Sequence, residues 1–140
     1  MNINEILTTE QSKINFLKGL IFLSKIDGNT DENERLFFTN ASLSLNLTQE
    51  SLKELDKCWT IEKPIAPNFE TNKEKIFFFI QAIQLCNIDS TYTIEEKNLI
   101  RSYANSLNFS LDFILKIEDW VERGLKWQKE GNDFLNMEVL

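Results

Sequence analysis

Apolar residues recur along this chain at intervals of three and four, in segments divided by short polar stretches. Ile14, Leu17 and Ile21, flanked by Phe16, Leu20 and Leu23, cover most of the girth of a helix predicted from about residue 9 to Ile26. A helix apolar over that much of its surface is buried rather than half-exposed. Thr8, followed three residues later by Gln11, predicts a capping box at its start, and Gly28 ends it. Asp31 and Glu34 open a second helix through Leu36, Phe37, Ala41 and Leu45, and Thr48 caps a third reaching about Trp59. Residues 60–70 carry Pro64 and Pro67 and predict an extended linker. Thr71 with Glu74 opens a fourth helix containing IFFFIQAIQL, the most apolar stretch of the chain. Thr93 with Glu96 opens a fifth, and Ser110 a sixth that runs through Trp120 and Trp127 to about Gly131. Residues 1–8 form a leading turn whose Ile3, Ile6 and Leu7 can lie on the domain. The closing NDFLNMEVL either folds back onto the body or docks elsewhere. No stretch sustains period-two alternation, so no sheet is expected.

The pattern repeats. Asp27–Glu34 (DGNTDENE) returns 62 residues later as Asp89–Glu96 (DSTYTIEE), and extending the match aligns Lys13–Leu55 with Lys75–Ile117. Eleven of those 43 positions are identical, among them Phe16/Phe78, Ile21/Ile83, Asp27/Asp89, Glu34/Glu96 and Asn46/Asn108. An internal duplication of this length sets the expected architecture. The expectation is an all-α, internally duplicated helical bundle of two three-helix repeats with approximate two-fold symmetry. Repeat one covers about 9–59, the linker 60–70, repeat two 71–127, and an apolar C-terminal tail 128–140. The first and fourth helices should pack as the central pair.

Composition narrows the chemistry. At 140 residues the chain is a single domain long enough to bury a core, to which 11 Phe and 3 Trp contribute bulk. A net charge of −7 argues against nucleic acid as a partner, because that affinity rests on neutralising phosphates with Lys and Arg. There is no histidine. That removes the usual Ser-His-Asp and Cys-His catalysis and every His-ligated zinc or iron site. Cys58 and Cys86 are too few for a four-cysteine site, and Cys86, inside the apolar fourth helix, reads as a buried structural thiol. The MNINEILTTE start lacks a signal-peptide pattern, and no apolar run approaches the ~20 residues that span a bilayer. Both point to a cytoplasmic protein without direct membrane insertion.

The duplicated loops offer two readings. In the first they are structural: Glu34 and Glu96 complete capping boxes at positive helix ends, and Asp27 and Asp89 accept backbone N–H groups in the turns. In the second, Asp27, Asp31, Glu34, Asp89 and Glu96 are metal ligands, and carboxylates without imidazole or thiolate suit Ca²⁺ or Mg²⁺. An EF-hand template places Asp27, Asn29 and Asp31 at its first three ligand positions. It then fails, with Glu32 where glycine is needed and Phe38 where the closing carboxylate belongs. In the second copy Ile100 falls at that closing position.

The segments LSKIDGNTDENE leading to LSLNLTQE, echoed by LCNIDSTYTIEE leading to SLNFSLDF, resemble the TerB-like tellurite-resistance domain over about residues 10–125. The resemblance implies an all-helical fold of two similar halves. It also implies a non-enzymatic role in tellurite and other stress responses or phage defence, an acidic metal-binding surface, and a protein partner that can be membrane-associated. Carried onto this chain, its acidic positions are Asp27 and Glu34, echoed by Asp89 and Glu96; Ser90 departs from the Asp-Gly pattern. The alternative is a helical adaptor or inhibitor that acts purely by protein–protein interaction, in which Trp59, the prolines and the apolar tail matter more than the loops. An enzyme is disfavoured, since the Glu-x-x-His element of helical carboxylate–metal sites is impossible here.

Overall fold

The computed structural model describes residues 2–26, 32–87 and 91–139, with the side chains of residues 33, 34 and 37 left out. Within them the chain is all-helical, without a strand: α1 (Ile3–Ile6), α2 (Glu10–Lys25), α3 (Glu32–Ser44), α4 (Gln49–Lys57), α5 (Asn72–Cys86), α6 (Ile94–Ser106) and α7 (Leu111–Leu135).

Capping chemistry fixes the helix starts. Thr71 Oγ1 accepts the Glu74 N–H at 3.1 Å while Glu74 Oε1 accepts the Thr71 N–H at 3.1 Å, and Thr93 and Glu96 repeat the exchange at 3.1 and 2.9 Å. At α2 the box lies one residue beyond the expected Thr8/Gln11 pair. Thr9 Oγ1 accepts from Ser12 N at 3.0 Å and Ser12 Oγ accepts from Thr9 N at 3.3 Å. Thr8 and Thr9 can both cap, but Ser12 is short enough to return to the cap backbone and is buried there. Thr48 and Ser110 cap α4 and α7 as expected.

These features recur at the 62-residue spacing. Thr9 and Thr71 cap α2 and α5, and Thr48 and Ser110 cap α4 and α7. Asn46 and Asn108 both take left-handed backbone, at φ 56° and 52°. Asparagine is among the few non-glycine residues that visit that region readily, which accounts for the identity at this helix-to-helix turn.

α2 and α5 pack against each other at the centre; α3 and α4 lie on α2, while α6 and α7 lie on α5. The aromatic residues of α2 and α5 join the two. Phe16 stacks on Phe77 at 5.4 Å between centroids and meets Phe78 edge-on at 6.1 Å. Gly19 leaves room for Phe78, whose Cε1 would lie only 2.5 Å from a Cβ at that position. From α6, the buried Tyr103 donates its hydroxyl to the Gly19 carbonyl at 3.4 Å. The Pro-containing segment is less a free linker than a packed strap. Phe69 is buried against Phe78, Asn15 Nδ2 donates to the Asn68 carbonyl at 2.8 Å, and Lys25 Nζ donates to the Ile61 carbonyl at 2.5 Å. Both cysteines are buried thiols outside any disulfide, and burial pushes the Cys58 thiol up.

The C-terminal tail differs from expectation. Residues 132–135, expected to lie beyond the helix, continue α7, which does not stop near Gly131. Lys129 and Asp133 pair at 3.5 Å across one turn of this extension. A glycine inside a helix costs only about 1 kcal/mol, which the better helix formers Gln128, Lys129 and Glu130 before it help to offset.

Candidate functional site: the acidic loops and the exposed half of α7

Asp27, Asp31 and Asp89 lie outside the described residues, as does the Glu34 side chain. Glu96 is the one expected ligand whose side chain is described, and it serves the helix end. Its Oε1 accepts both the Thr93 N–H at 2.9 Å and the Thr93 hydroxyl at 2.9 Å. One carboxylate oxygen is thereby committed to the cap. Among the described residues no group of three or more Asp, Glu, His and Cys side chains is arranged to hold a metal ion.

Beside the second loop, Arg101 of α6 holds Glu118 of α7 in a two-pronged pair, Nη2 to Oε1 at 3.0 Å and Nη1 to Oε2 at 3.2 Å. The Tyr92 hydroxyl is buried without closing a hydrogen bond of normal geometry. Burial, and after it the Glu118 carboxylate, hold the Tyr92 phenol well above its ordinary range. This cluster ties α6 to the first half of α7.

Among the described residues, α7 carries a run of exposed large hydrophobic side chains. Its buried residues are Ile114, Ile117 and Val121, all in its first half. From Val121 to Leu135 the helix runs on for about 21 Å while Trp127 is 75% exposed, Phe134 68% and Leu135 84%. Trp120, 45% exposed, opens this stretch. A groove of about 630 Å³ lies along it, lined by Trp120, Gly124, Trp127 and Gln128 with Gln84 of α5 on its far side. Large aromatic side chains left in water along one helix mark an interaction surface more often than chance exposure does.

Trp59, which the adaptor reading weights above the loops, is half-buried. It meets the Phe38 ring edge-on at 5.6 Å, with the Arg35 guanidinium over its face. The expectation of an apolar surface in the tail understated the true extent, which begins at Trp120. Its signal was present in the sequence: Phe113, Trp120, Trp127 and Phe134 stand at intervals of seven. That spacing is invisible when the segment is divided at residue 128.

Among the described residues no helix is long and apolar enough to cross a membrane. No family model, curated protein or solved structure matches the chain.

Proposed function

We propose that the protein is a non-enzymatic helical interaction module of TerB-like type, in which a duplicated bundle carries α7 as a protein-docking arm. The observation that carries this reading is the exposed aromatic half of α7, whose first half is tied to α6 by the Arg101–Glu118 pair. A body that only had to fold would have no use for tryptophan and phenylalanine there, since each exposes apolar area that water disfavours. The 62-residue recurrence of caps and left-handed asparagines supports two halves related by duplication and approximate two-fold symmetry. The sequence resemblance supports a role in stress response or phage defence with a protein partner, cytoplasmic or at a membrane.

Affinity purification of the full chain from its native host, against a Trp127→Asp/Phe134→Asp variant, tests the reading. The expected result is a partner set recovered with the wild-type chain and lost with the variant, while thermal unfolding of the body is unchanged. Equal recovery with both proteins would overturn it.

A second reading assigns a divalent cation, Ca²⁺ or Mg²⁺, to Asp27, Asp31 and Glu34, with Asp89 and Glu96 as the echo. The duplicated acidic loop favours it, and the cation would couple loop geometry to the arm. Because one Glu96 oxygen already serves the cap, the first loop is the stronger half of that assignment.

A further inference from the structure

The exposed half of α7 has a regular composition that narrows what can cover it. Phe113, Trp120, Trp127 and Phe134 occupy every seventh position, and Ile117, Gly124 and Gly131 occupy a second seven-residue series four places after each of the first three aromatics. Together these are the two inward positions of a coiled-coil heptad, one filled by aromatics and the other, beyond Ile117, by glycine. The glycines are not needed by this chain's own packing. A Cβ at Gly124 or Gly131 would meet nothing within 4 Å, whereas one at Gly19 would strike Phe78. Each glycine nevertheless costs an exposed helix interior about 1 kcal/mol relative to alanine. Glycine at those places is useful when another helix approaches closely.

We infer that the partner seated on α7 is the α7 of a second copy of this chain, packed antiparallel. This names the partner for the interaction-module reading and rests on it. In a parallel pair like positions meet, so tryptophan would crowd tryptophan while glycine faced glycine across a void. In an antiparallel pair the two series face each other, and Trp120 and Trp127 each find a glycine hole while Phe134 meets Ile117. The register that sets Gly124 against Trp127 of the second copy also sets Trp120 against Gly131. That register brings Arg123 beside Glu130 of the second copy, twice by symmetry. The neighbouring register, Gly131 against Trp127, would bring the two Glu130 carboxylates together. Arg123 already holds Asp119 of its own helix through Nε at 2.9 Å, and its guanidinium retains further donors for a second carboxylate. The groove beside Trp120, Gly124 and Trp127 is the place such a helix would occupy.

Sedimentation equilibrium of the full chain over about 1–500 μM tests the inference, in a range that brackets micromolar association. The expected result is a reversible dimer. Gly124→Leu with Gly131→Leu should raise the helicity of α7 by circular dichroism yet weaken the dimer by at least tenfold, because the holes are filled. Arg123→Glu and Glu130→Arg should each weaken it, and their combination should restore it, a rescue that a parallel pair does not produce. A monomer at every concentration, or a dimer unaffected by the two leucines, would overturn the inference. If the chain stays monomeric while Trp127→Asp/Phe134→Asp still loses its partners, the interaction module stands with a different occupant. If both measurements fail, the module reading falls as well.

Discussion

The Phe78 ring lies directly over Gly19, so that a Cβ at position 19 would sit 2.5 Å from Cε1 and 2.6 Å from Cζ. The central helix pair α2 and α5 owes its close approach to this one missing methyl group. Gly19→Ala gains about 1 kcal/mol of helix propensity but must displace a fully buried ring, an overpacking cost of about 1–3 kcal/mol. The expected net effect is destabilisation in denaturant unfolding. In the Phe78→Leu background the same change should cost less, since the ring edge it strikes is gone. Equal costs in both backgrounds would show that Gly19 serves the backbone rather than the ring.

Glu10 links the start of α2 to the start of α4. Its Oε1 accepts the Thr48 N–H at 2.7 Å and the Ser51 hydroxyl at 3.0 Å. The Thr48 backbone bond, followed by the Ser51 hydroxyl, holds the Glu10 carboxyl below its ordinary 4.5. A carboxylate whose folded pKa is depressed contributes stability above the unfolded pKa and loses it as pH falls through the folded one. Glu10→Gln should therefore lower the unfolding temperature at pH 7, and the gap to wild type should close below about pH 4.5. A gap independent of pH would assign the effect to hydrogen-bond geometry alone.

Much of this organisation is legible in the sequence because its signals are local. Thr71/Glu74 and Thr93/Glu96 announce helix starts within four residues, and Phe77, Phe78 and Phe79 can only be buried together. The Asp27–Glu34 echo at Asp89–Glu96 has the same 62-residue offset as the Thr9/Thr71 and Thr48/Ser110 caps. The features that escaped are those that local chemistry leaves degenerate. Thr8 and Thr9 are equivalent as letters, and only the burial of Ser12 selects between them. Gly131 reads as a stop signal, yet a helix ends only where the next residues fail to continue it, and Asn132–Leu135 can propagate a helix already nucleated. Trp59 reads as a surface anchor because its partner Phe38 lies 21 residues away, a tertiary fact no window contains.

Glu96 separates the two readings of the acidic loops. Glu96→Gln leaves an oxygen that still accepts the Thr93 N–H, so unfolding should be nearly unchanged; Glu96→Ala should cost about 1 kcal/mol. Calorimetric titration of metal-free protein with Ca²⁺ and Mg²⁺ then reads the loops themselves. Under the cation reading, heat and thermal stabilisation are lost in Asp27→Asn/Glu34→Gln and largely kept in Glu96→Gln, because an ion bound only by the folded state must raise its unfolding temperature. No saturable heat with wild-type protein would leave the loops as helix caps.

The Arg101–Glu118 pair joins α6 to α7, and its partial burial makes the two charges interdependent. The side chains are 33% and 15% exposed, so removing the arginine leaves a carboxylate mostly out of water beside the Tyr92 phenol. Arg101→Leu should cost about 1–3 kcal/mol, much of it the desolvation of an unpaired Glu118. Removing the carboxylate too should recover part of that loss, so Arg101→Leu/Glu118→Leu should be more stable than Arg101→Leu alone. The arm responds differently. In both variants the tie between α6 and α7 is gone, so hydrogen exchange in residues 111–121 should accelerate even where global stability is regained. Restored stability with unchanged exchange would mean that Ile114, Ile117 and Val121 alone fix the angle of α7, and that the ion pair contributes charge compensation without direction.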